Sequence, residues 1–381
     1  MNCTPVFSKI DALQPAYLAL WADICNIESP TIDKAGVDAV GAYCIDRARA
    51  LGWAVEVHEE PVAGNAVCLT MNPDADGAPI CLSGHMDTVH PVGAFGSPAV
   101  TMDGTKIYGP GVVDCKGGIA ASFLAMDALA QCGYRSRPVK LLLQSDEEGG
   151  SRWSDKRTIG WICEQAKDAA LFLNCEGHGS KAVLRRKGIL NYRFTVHGRS
   201  CHGSNCYEGA SAIAEAAHKI LALEQWKDAA GLTGNCGTIE GGTTPNTVPE
   251  TCAFVVNIRF ADAAQRDFAE AECRRIAETA TIPGTTCTLE RISYRIAMEL
   301  TPRNRAALAR MNEIYRAAGL PILAEGSSTG GSDAADVTAC GIPCVDSVGT
   351  HGGGIHTTDE YAYIASLAES AKRLASVIWC W

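Results

Sequence analysis

Apolar positions recur with helical and strand-like periods in alternation along the first half of the chain. Helix-like spacing covers 12–27, 34–51 and 116–131, and strand-like runs cover 54–58, 66–71, 79–83, 139–144 and 170–174. The last two runs are apolar without a break, as expected for central strands that are covered on both faces. This alternation predicts an α/β domain with a mixed, mostly parallel sheet and helices on both faces.

The pattern changes at Gly188, where alternating apolar and polar residues begin. The next elements are a strand at 189–197, a helix at 209–224, strands at 236–240 and 252–260, a helix at 263–280 and a strand at 286–294. This β-α-β-β-α-β order is ferredoxin-like. A helix at 303–318, a strand at 342–348 and a helix at 360–378 then resume the first pattern. We therefore predict an α/β domain at 1–186 and 297–381, interrupted by an inserted α+β domain at 187–296.

Composition and charge narrow the class of protein. The 381 residues are 47% hydrophobic and 20% charged, which is typical of a globular enzyme. A net charge of −10 without a Lys/Arg-rich run argues against nucleic acid or an anionic membrane as a partner. The 18 cysteines form no CxxC pair, and the N-terminal segment does not resemble a signal peptide. No segment reaches the ~20 apolar residues that a membrane span needs, so we predict a cytoplasmic protein with reduced cysteines.

A histidine and an aspartate follow the strand at 79–83, and they could form part of a metal site. In this arrangement His85 binds a metal ion and Asp87 accepts the second N–H of the imidazole, which orients the ring. A single His-x-Asp is also common in solvated loops, so the pair needs support from the rest of the chain.

Further acidic and imidazole groups follow the other predicted strands. Asp114 precedes the helix at 116, where alone it would be interpreted as an N-cap. The other groups are Glu147, Glu148, Glu176 and His356. Ligands of open α/β sheets bind at the carboxyl ends of strands, so their coincidence there predicts a metal site. Mixed nitrogen and oxygen donors suit zinc, with cobalt or manganese as substitutes, and the number of groups suits two ions that share a carboxylate.

Five segments resemble the metal-site motifs of the dizinc exopeptidase and deacylase family. They are SGHMDTV, GPGVVDCKGG, SDEEGG, NCEG and a closing His-x-x-x-Glu-Tyr, in this order. The family includes bacterial glutamate carboxypeptidases, acetylornithine deacetylase, succinyl-diaminopimelate desuccinylase and the aminoacylases. The resemblance covers essentially the whole chain. It implies a zinc-dependent amidohydrolase or exopeptidase whose inserted domain is a lid and a dimerisation domain.

The resemblance also implies a role for each candidate metal ligand. Asp114 would bridge two zinc ions. His85 and Glu176 would belong to different ions, with Glu148 completing one site and His356 the other.

Two further roles come from the same resemblance. Asp87 would support His85 without touching an ion. Glu147 would be the general acid/base that takes a proton from the attacking water and returns it to the leaving nitrogen. A cis peptide bond is also expected after the bridging residue, at Asp114–Cys115.

The inserted domain carries weaker signals. His202 resembles a lid histidine that reaches the neighbouring subunit's active site and stabilises the oxyanion, although a loop histidine that caps the helix at 209 fits equally well. Asn246 and Arg259 resemble lid positions that contact the substrate, and arginine binds a carboxylate through two parallel hydrogen bonds. Gly330 and Gly331 resemble a glycine-rich loop near the substrate, although turn chemistry alone would explain them.

We therefore predict a dizinc hydrolase of an N-acyl amino acid or small peptide with a free α-carboxylate, resembling a glutamate carboxypeptidase. A glutamate rather than an aspartate at position 176 resembles the carboxypeptidase, desuccinylase and aminoacylase branches. An N-deacetylase, desuccinylase or aminoacylase activity therefore stays open. The expected partners are this small substrate and a second copy of the chain, bound through the lid as a homodimer.

Two alternatives compete with this prediction. Residues 326–330 match G-x-S-x-G, which would make Ser328 the nucleophile of a serine hydrolase with Asp346 and His356. Only about fifty residues follow Ser328, too few for the strands that normally separate such a triad. The second alternative is a metal-bearing scaffold without activity. Such a protein would be expected to lack a metal ligand or the general base, whereas the sequence contains every candidate ligand and Glu147.

Overall fold

The chain, described over residues 3–177 and 181–381 in a computed structural model, has a mixed α/β fold. It divides into two compact units. Unit 1 comprises Met1–Leu184, Leu300–Ser327 and Ser332–Trp381, and unit 2 comprises Arg185–Glu299 and Ser328–Gly331. The predicted insertion at 187–296 lies inside unit 2, and its role as a lid stays a prediction. No helix of the described residues is long and apolar enough to cross a membrane.

The helices and strands have the following bounds. The α-helices are α1 (Thr4–Asn26), α2 (Lys34–Ala50), α3 (Lys116–Gln131), α4 (Arg157–Ala166), α5 (Ala212–Leu223), α6 (Ala263–Glu278), α7 (Pro302–Ala317), α8 (Ala334–Ala339) and α9 (Ala365–Cys380). The strands are β1 (Ala54–His58), β2 (Ala66–Met71), β3 (Ile80–His85), β4 (Thr101–Met102), β5 (Lys106–Tyr108), β6 (Val139–Gln144), β7 (Leu171–Asn174), β8 (Lys181–Arg186), β9 (Gly188–His197), β10 (Thr233–Gly241), β11 (Thr251–Phe260), β12 (Thr286–Arg295), β13 (Ala324–Ser328), β14 (Cys344–Asp346), β15 (Gly352–Gly353) and β16 (Tyr361–Tyr363).

The central sheet has the strand order β1-β2-β6-β3-β7-β14-β8-β13. The four central strands β6, β3, β7 and β14 are parallel to one another, whereas β2 pairs antiparallel with β6 and with β1, and β8 pairs antiparallel with β14. Helices α2, α3 and α4 pack against these strands, so β2, β3 and β7 are buried along their whole length. The predicted mixed sheet of an α/β fold is confirmed.

Helix α3 connects the core of unit 1 to the edge of the sheet. It packs against α1, α9 and β3 and is buried from Lys116 to Leu129. Phe123 stacks on Trp53 with 5.4 Å between ring centroids, and burial of such a side chain contributes roughly 1.5–3 kcal/mol. At Gly118 a Cβ would lie 1.9 Å from the carbonyl oxygen of Cys175, so only glycine lets α3 begin this close to the end of β7. The start of α3 is therefore held by the core.

Unit 2 contains a four-stranded antiparallel sheet in the order β10-β11-β9-β12, with α5 and α6 packed on it. Residues of β9 and β11 alternate between buried and half-buried positions, and Phe194 stacks on Phe254 at 4.8 Å between centroids. The chain order of these elements is the predicted β-α-β-β-α-β order.

The structure corrects several predicted bounds. Strand β3 runs to His85 itself rather than ending at 83, and the C-terminal helix begins at Ala365 because residues 361–363 form β16. Helices α4 and α8, strands β8 and β13 and a small sheet in the order β15-β16-β5-β4 were not predicted. Most of these segments are too short to show a period, and some have only two or three residues.

Candidate metal centre

Three of the predicted site segments follow adjacent strands of the central sheet. Strand β3 lies between β6 and β7 and is parallel to both. His85 ends β3, Glu147 and Glu148 come three and four positions after Gln144, the last residue of β6, and Glu176 comes two positions after Asn174, the last residue of β7. Because the carboxyl ends of parallel strands meet at one edge of a sheet, the backbone brings these side chains together.

The carboxylate of Asp114 lies between the two imidazoles. Its Oδ1 is 3.0 Å from Nε2 of His85, and its Oδ2 is 3.3 Å from Nε2 of His356. Each histidine also faces a glutamate: Nε2 of His85 is 3.6 Å from Oε1 of Glu176, and Nε2 of His356 is 3.2 Å from Oε2 of Glu148. The five predicted ligands therefore form two sets that share Asp114.

This grouping differs from the expected division of the ligands. The expectation put His85 and Glu176 on different ions, whereas the structure pairs His85 with Glu176 and His356 with Glu148. Strand β3 is hydrogen-bonded to both β6 and β7, and the His85 ring at its end lies on the β7 side, beside Glu176. His356 comes from the loop between β15 and β16, which meets the turn after β6.

Asp87 contacts both the imidazole of His85 and the backbone of a neighbouring turn. Nδ1 of His85 lies 2.9 Å from the backbone oxygen of Asp87 and 3.3 Å from its Oδ1. The buried carboxylate also accepts the backbone N–H groups of Glu147 at 3.2 Å and Glu148 at 3.1 Å, and the hydroxyl of Thr31 at 2.7 Å. Asp87 therefore orients the ring largely through its own carbonyl, and its carboxylate holds the Glu147–Glu148 turn.

A second buried carboxylate holds the turn that carries Asp114. Glu360 accepts the backbone N–H groups of Gly111 at 3.2 Å, Val113 at 3.0 Å and Asp114 at 3.1 Å. Nε2 of His90 lies 3.0 Å from the same carboxylate. Glu360 belongs to the closing His-x-x-x-Glu-Tyr motif, but the sequence alone did not indicate this role.

Asp114 itself does not cap a helix. The N-cap position of α3 is Cys115, and no side chain among the described residues caps that helix end. The N-cap interpretation is therefore wrong, because both carboxylate oxygens face the histidines. The Asp114–Cys115 peptide bond is cis, as the family resemblance predicts.

The site groups shift one another's pKa because they are charged and crowded. Burial raises the pKa of Glu148 to about 7 and raises the pKa of Glu176. Burial would also raise the pKa of Asp114, but hydrogen bonds with His356 and His85 outweigh it and lower that pKa. Hydrogen bonds with Asp114 and Glu148 raise the pKa of His356 to about 10. A bound cation would stabilise these carboxylates in their charged form.

The donor set fits zinc. One donor atom each of His85, Asp114 and Glu148 lies within 4.8 Å of the others, and the same is true of His85, Cys115 and Glu176. Imidazole nitrogens and carboxylate oxygens are zinc ligands. Cys115 is the member that the sequence did not predict, but burial raises the pKa of its thiol, and a cysteine binds metal as the thiolate. We therefore leave Cys115 out of the proposed ligands.

The three acidic residues after β6 have different surroundings. The carboxylate of Asp146 accepts the hydroxyl of Thr158 at 2.6 Å and the N–H of Ser154 at 3.0 Å, so it serves the local turn. Glu147 is buried. Burial of Glu148 and Glu176 is the main cause of their raised pKa values, and the negative charge of Glu147 is a smaller cause. The charge of Glu147 therefore acts on both ligands.

Unit 2 brings His202 and Asn246 together. His202 precedes a 3-10 helix at Gly203–Glu208, and its Nδ1 accepts the N–H of Ser204 at 3.3 Å. The N–H of Gly203 donates to the backbone oxygen of Asn246 at 2.7 Å. A capping histidine was one of the two interpretations of His202, but it caps this short helix, whereas Ser211 caps α5.

Arg259 lies against the glycine-rich segment within unit 2. Its Nη1 donates to the backbone oxygen of Thr329 at 3.1 Å. Burial lowers its pKa, and so does the positive charge of Arg295. A Cβ on Gly331 would lie 2.8 Å from Cδ of Arg295, whereas one on Gly330 would lie 3.7 Å from Nη1 of Arg186. Gly331 therefore packs closely on the Arg295 side chain, which the sequence did not indicate.

The structure does not support the serine-hydrolase alternative. Oγ of Ser328 accepts the N–H of Gly330 at 3.2 Å. The carboxylate of Asp346 accepts the amide of Asn174 at 3.0 Å, and His356 faces the two carboxylates described above. Ser328, Asp346 and His356 thus each have partners of their own outside the supposed triad.

Comparison with known proteins gives the same family as the five motifs. Carboxypeptidase G2 of a Pseudomonas species is 27% identical over 374 residues, which cover 96% of this chain and 89% of that protein. A succinyl-diaminopimelate desuccinylase of Methylorubrum extorquens is 28% identical over 387 residues, which cover 92% of this chain and 94% of that protein.

Solved structures share the fold. The aminopeptidase PepT from Bacillus cereus has a TM-score of 0.79 at 20% identity and covers 96% of this chain and 98% of its own. An M20 family metallo-carboxypeptidase from Sulfolobus solfataricus has a TM-score of 0.72 at 17% identity and covers 95% of this chain and 98% of its own. Residues 81–379 match the model of peptidase family M20/M25/M40, whose members are metal-dependent hydrolases. The chain belongs to this family, as the motifs predicted.

Proposed function

We propose that the protein is a dizinc amidohydrolase. Its substrate is an N-acyl amino acid or a short peptide whose leaving amino acid has a free α-carboxylate. The observation that carries this proposal is the position of Asp114 between His85 and His356, with one glutamate beside each imidazole. Two sets of donors around one shared carboxylate suit a pair of ions. The carboxypeptidase G2 relative supports the carboxypeptidase-like specificity.

The residues divide the chemistry between them. The proposed ligands are His85, Asp114, Glu148, Glu176 and His356. When bound, two zinc ions would polarise the scissile carbonyl and lower the pKa of water. Glu147 would take a proton from the attacking water and return it to the leaving nitrogen. The burial of Glu147 and its place directly before the proposed ligand Glu148 support this role.

Residues of unit 2 would recognise the substrate. Arg259 is the proposed partner of the α-carboxylate, because a guanidinium binds a carboxylate through two parallel hydrogen bonds. His202 is proposed to stabilise the oxyanion, and Asn246, Gly330 and Gly331 to contact the substrate. A homodimer formed through unit 2 and a cytoplasmic location stay predictions.

The proposal is tested with a substrate panel and defined metal loading. We would incubate the zinc-, cobalt- or manganese-loaded protein with N-acyl amino acids and dipeptides, each as the free acid and the α-amide, and detect products by mass. We expect a chelator to abolish hydrolysis and two equivalents of zinc to restore it. We expect the amides to react roughly 100-fold more slowly, because they leave a charged donor unpaired.

Three outcomes would contradict the proposal. They are equal rates for acids and amides, full activity with one bound ion, and labelling of Ser328 by a fluorophosphonate. Arg259→Ala should raise KM, whereas Arg274→Ala on the exposed face of α6 serves as the matched control. A strong preference for N-acetyl or N-succinyl substrates would assign the protein to the deacetylase or desuccinylase alternative.

A further inference from the structure

A groove in unit 1 is lined by several exposed large apolar side chains. Its lining comes from three segments, 30–33, 88–92 and 148–153. Ile32 is 78% exposed, Val92 63%, Val89 40% and Trp153 37%. Isolated apolar residues are normal on a protein surface, but a contiguous patch of them marks a binding site.

The groove is continuous with the candidate metal centre. Glu148, a proposed ligand, also lines the groove. Trp153 packs directly on the next residue of that turn, since a Cβ on Gly149 would lie 2.8 Å from Cδ1 of the indole. A group held against Trp153 therefore lies close to the ligand turn.

The walls of the groove are held by the same hydrogen bonds as the metal centre. The N–H of Thr31 donates to the oxygen of Thr88 at 3.1 Å, and the N–H of Thr88 donates to the oxygen of Ser29 at 2.9 Å. The hydroxyl of Thr31 donates to Asp87, which accepts the N–H of Glu148. All of these hydrogen bonds are made within the chain, so the walls of the groove do not depend on a ligand for their positions, as is usual for small-molecule sites.

We propose that this groove binds the acyl half of the substrate and selects an apolar, preferably aromatic, acyl group. The inference rests on the proposed function, in which Arg259 of unit 2 binds the α-carboxylate of the amino-acid half. The acyl half is then the part that remains for the surface beside Glu148. An aromatic ring would cover Trp153, Ile32 and Val92 and remove their apolar surface from water.

The charges of the groove favour a neutral acyl group. Asp33 and Arg152 line it with opposite charges, and the Arg152 guanidinium lies 4.7 Å from the centre of the Trp153 ring. These two charges offset each other, so a carboxylate at the end of an acyl chain would meet apolar side chains without an excess of positive charge. An acetyl group is too small to fill the groove.

The test compares acyl groups on one amino acid, the one cleaved fastest in the panel above. We expect kcat/KM of the N-benzoyl derivative to exceed that of the N-acetyl derivative about tenfold or more. Trp153→Ala should lower this ratio at least about fivefold, and Trp153→Phe should restore most of it.

A second variant keeps the inference testable if Trp153→Ala fails to fold. Ile32 and Val92 are largely exposed, so the double variant I32S/V92S should fold, and it too should lower the benzoyl-to-acetyl ratio. Val62→Ser is the matched control, because Val62 is 58% exposed and lies outside the groove. A ratio near one in the unaltered protein, or a ratio that neither groove variant changes, overturns the inference. So does a preference for N-succinyl that Arg152→Ala removes.

Failure of the proposed function can be distinguished from failure of the inference about the groove. If the panel shows no hydrolysis, the proposed function is wrong, and the groove is tested by calorimetric titration of N-benzoylglycine and N-acetylglycine into the zinc-loaded Glu147→Gln protein. N-benzoylglycine should bind about tenfold tighter, and Trp153→Ala should remove the difference. Equal affinities overturn the inference in that case.

Discussion

The carboxylate of Asp87 joins separate segments of unit 1 at the metal centre. It accepts hydrogen bonds from Thr31 and from the backbone of Glu147 and Glu148, and it lies 3.3 Å from Nδ1 of His85. Because it is buried, its removal leaves these donors without an acceptor where water does not reach them, and each such donor costs about 1–3 kcal/mol.

At this residue we expect Asp87→Ala to lower zinc affinity about 10–100-fold and to lower kcat. The His85 ring keeps its contact with the backbone oxygen of residue 87, so the loss should come mainly from the displaced Glu147–Glu148 turn. Thr31→Val removes one donor and keeps the carboxylate, and its effect should be less than about tenfold. Competition with a chromogenic chelator measures both affinities. Unchanged affinity in Asp87→Ala would mean that the carboxylate does not organise the site.

At the scale of elements, the start of α3 and the turn before it act as one structure. The helix is held by the core, Gly118 sets its contact with Cys175, and Glu360 holds the turn through three backbone N–H groups. The position of Asp114 between the two histidines is therefore determined by groups distant in sequence.

We expect Glu360→Gln to lower the free energy of unfolding by roughly 2–5 kcal/mol, because one carboxamide cannot accept from all the buried donors. Zinc affinity should fall as well, since Asp114 loses its support. Asp359→Asn makes the same change of charge at the adjacent, exposed residue and should leave both quantities unchanged. Urea unfolding and chelator competition measure the two effects. Equal stability of the two variants would contradict the role of Glu360.

At the scale of the whole molecule, metal and pH should act together on stability. In the metal-free protein the pKa of Glu148 is raised to about 7 by burial, and that of His356 is raised to about 10 by its carboxylate partners. Both groups thus bind protons more tightly in the folded state than in the unfolded state. Folding stability then falls as pH rises between the unfolded and folded values of each group.

The metal-free protein should therefore lose stability as pH rises from about 4.5 to 7 through Glu148 and from about 6.5 to 10 through His356. Zinc should remove most of this dependence, because the bound ion replaces the protons. Thermal unfolding at several pH values, with and without zinc, is the measurement. A metal-free midpoint that rises across this range would show that other groups dominate.

Much of this molecule could be predicted from local pattern. Strands β1, β2 and β6 and helix α3 have the predicted bounds, because each has a clear period or an unbroken apolar run. The five candidate ligands were chosen by their position after strands, and the structure brings them together. Segments such as β4 and β15 have two residues each and owe their conformation to their neighbours in the small sheet, so no local pattern could reveal them.

The sequence by itself determined the fold class, the two types of sheet and the donor atoms, because periodicity and residue chemistry are local properties. Only the tertiary structure decided which histidine faces which glutamate, since that depends on how the loop between β15 and β16 places His356 beside Glu148 and on the side to which the His85 ring turns. It also decided the roles of Asp87 and Glu360 and the apolar groove beside Glu148. Those features arise where segments distant in sequence come into contact. The spacing of residues along the chain does not indicate which distant segments make such contacts.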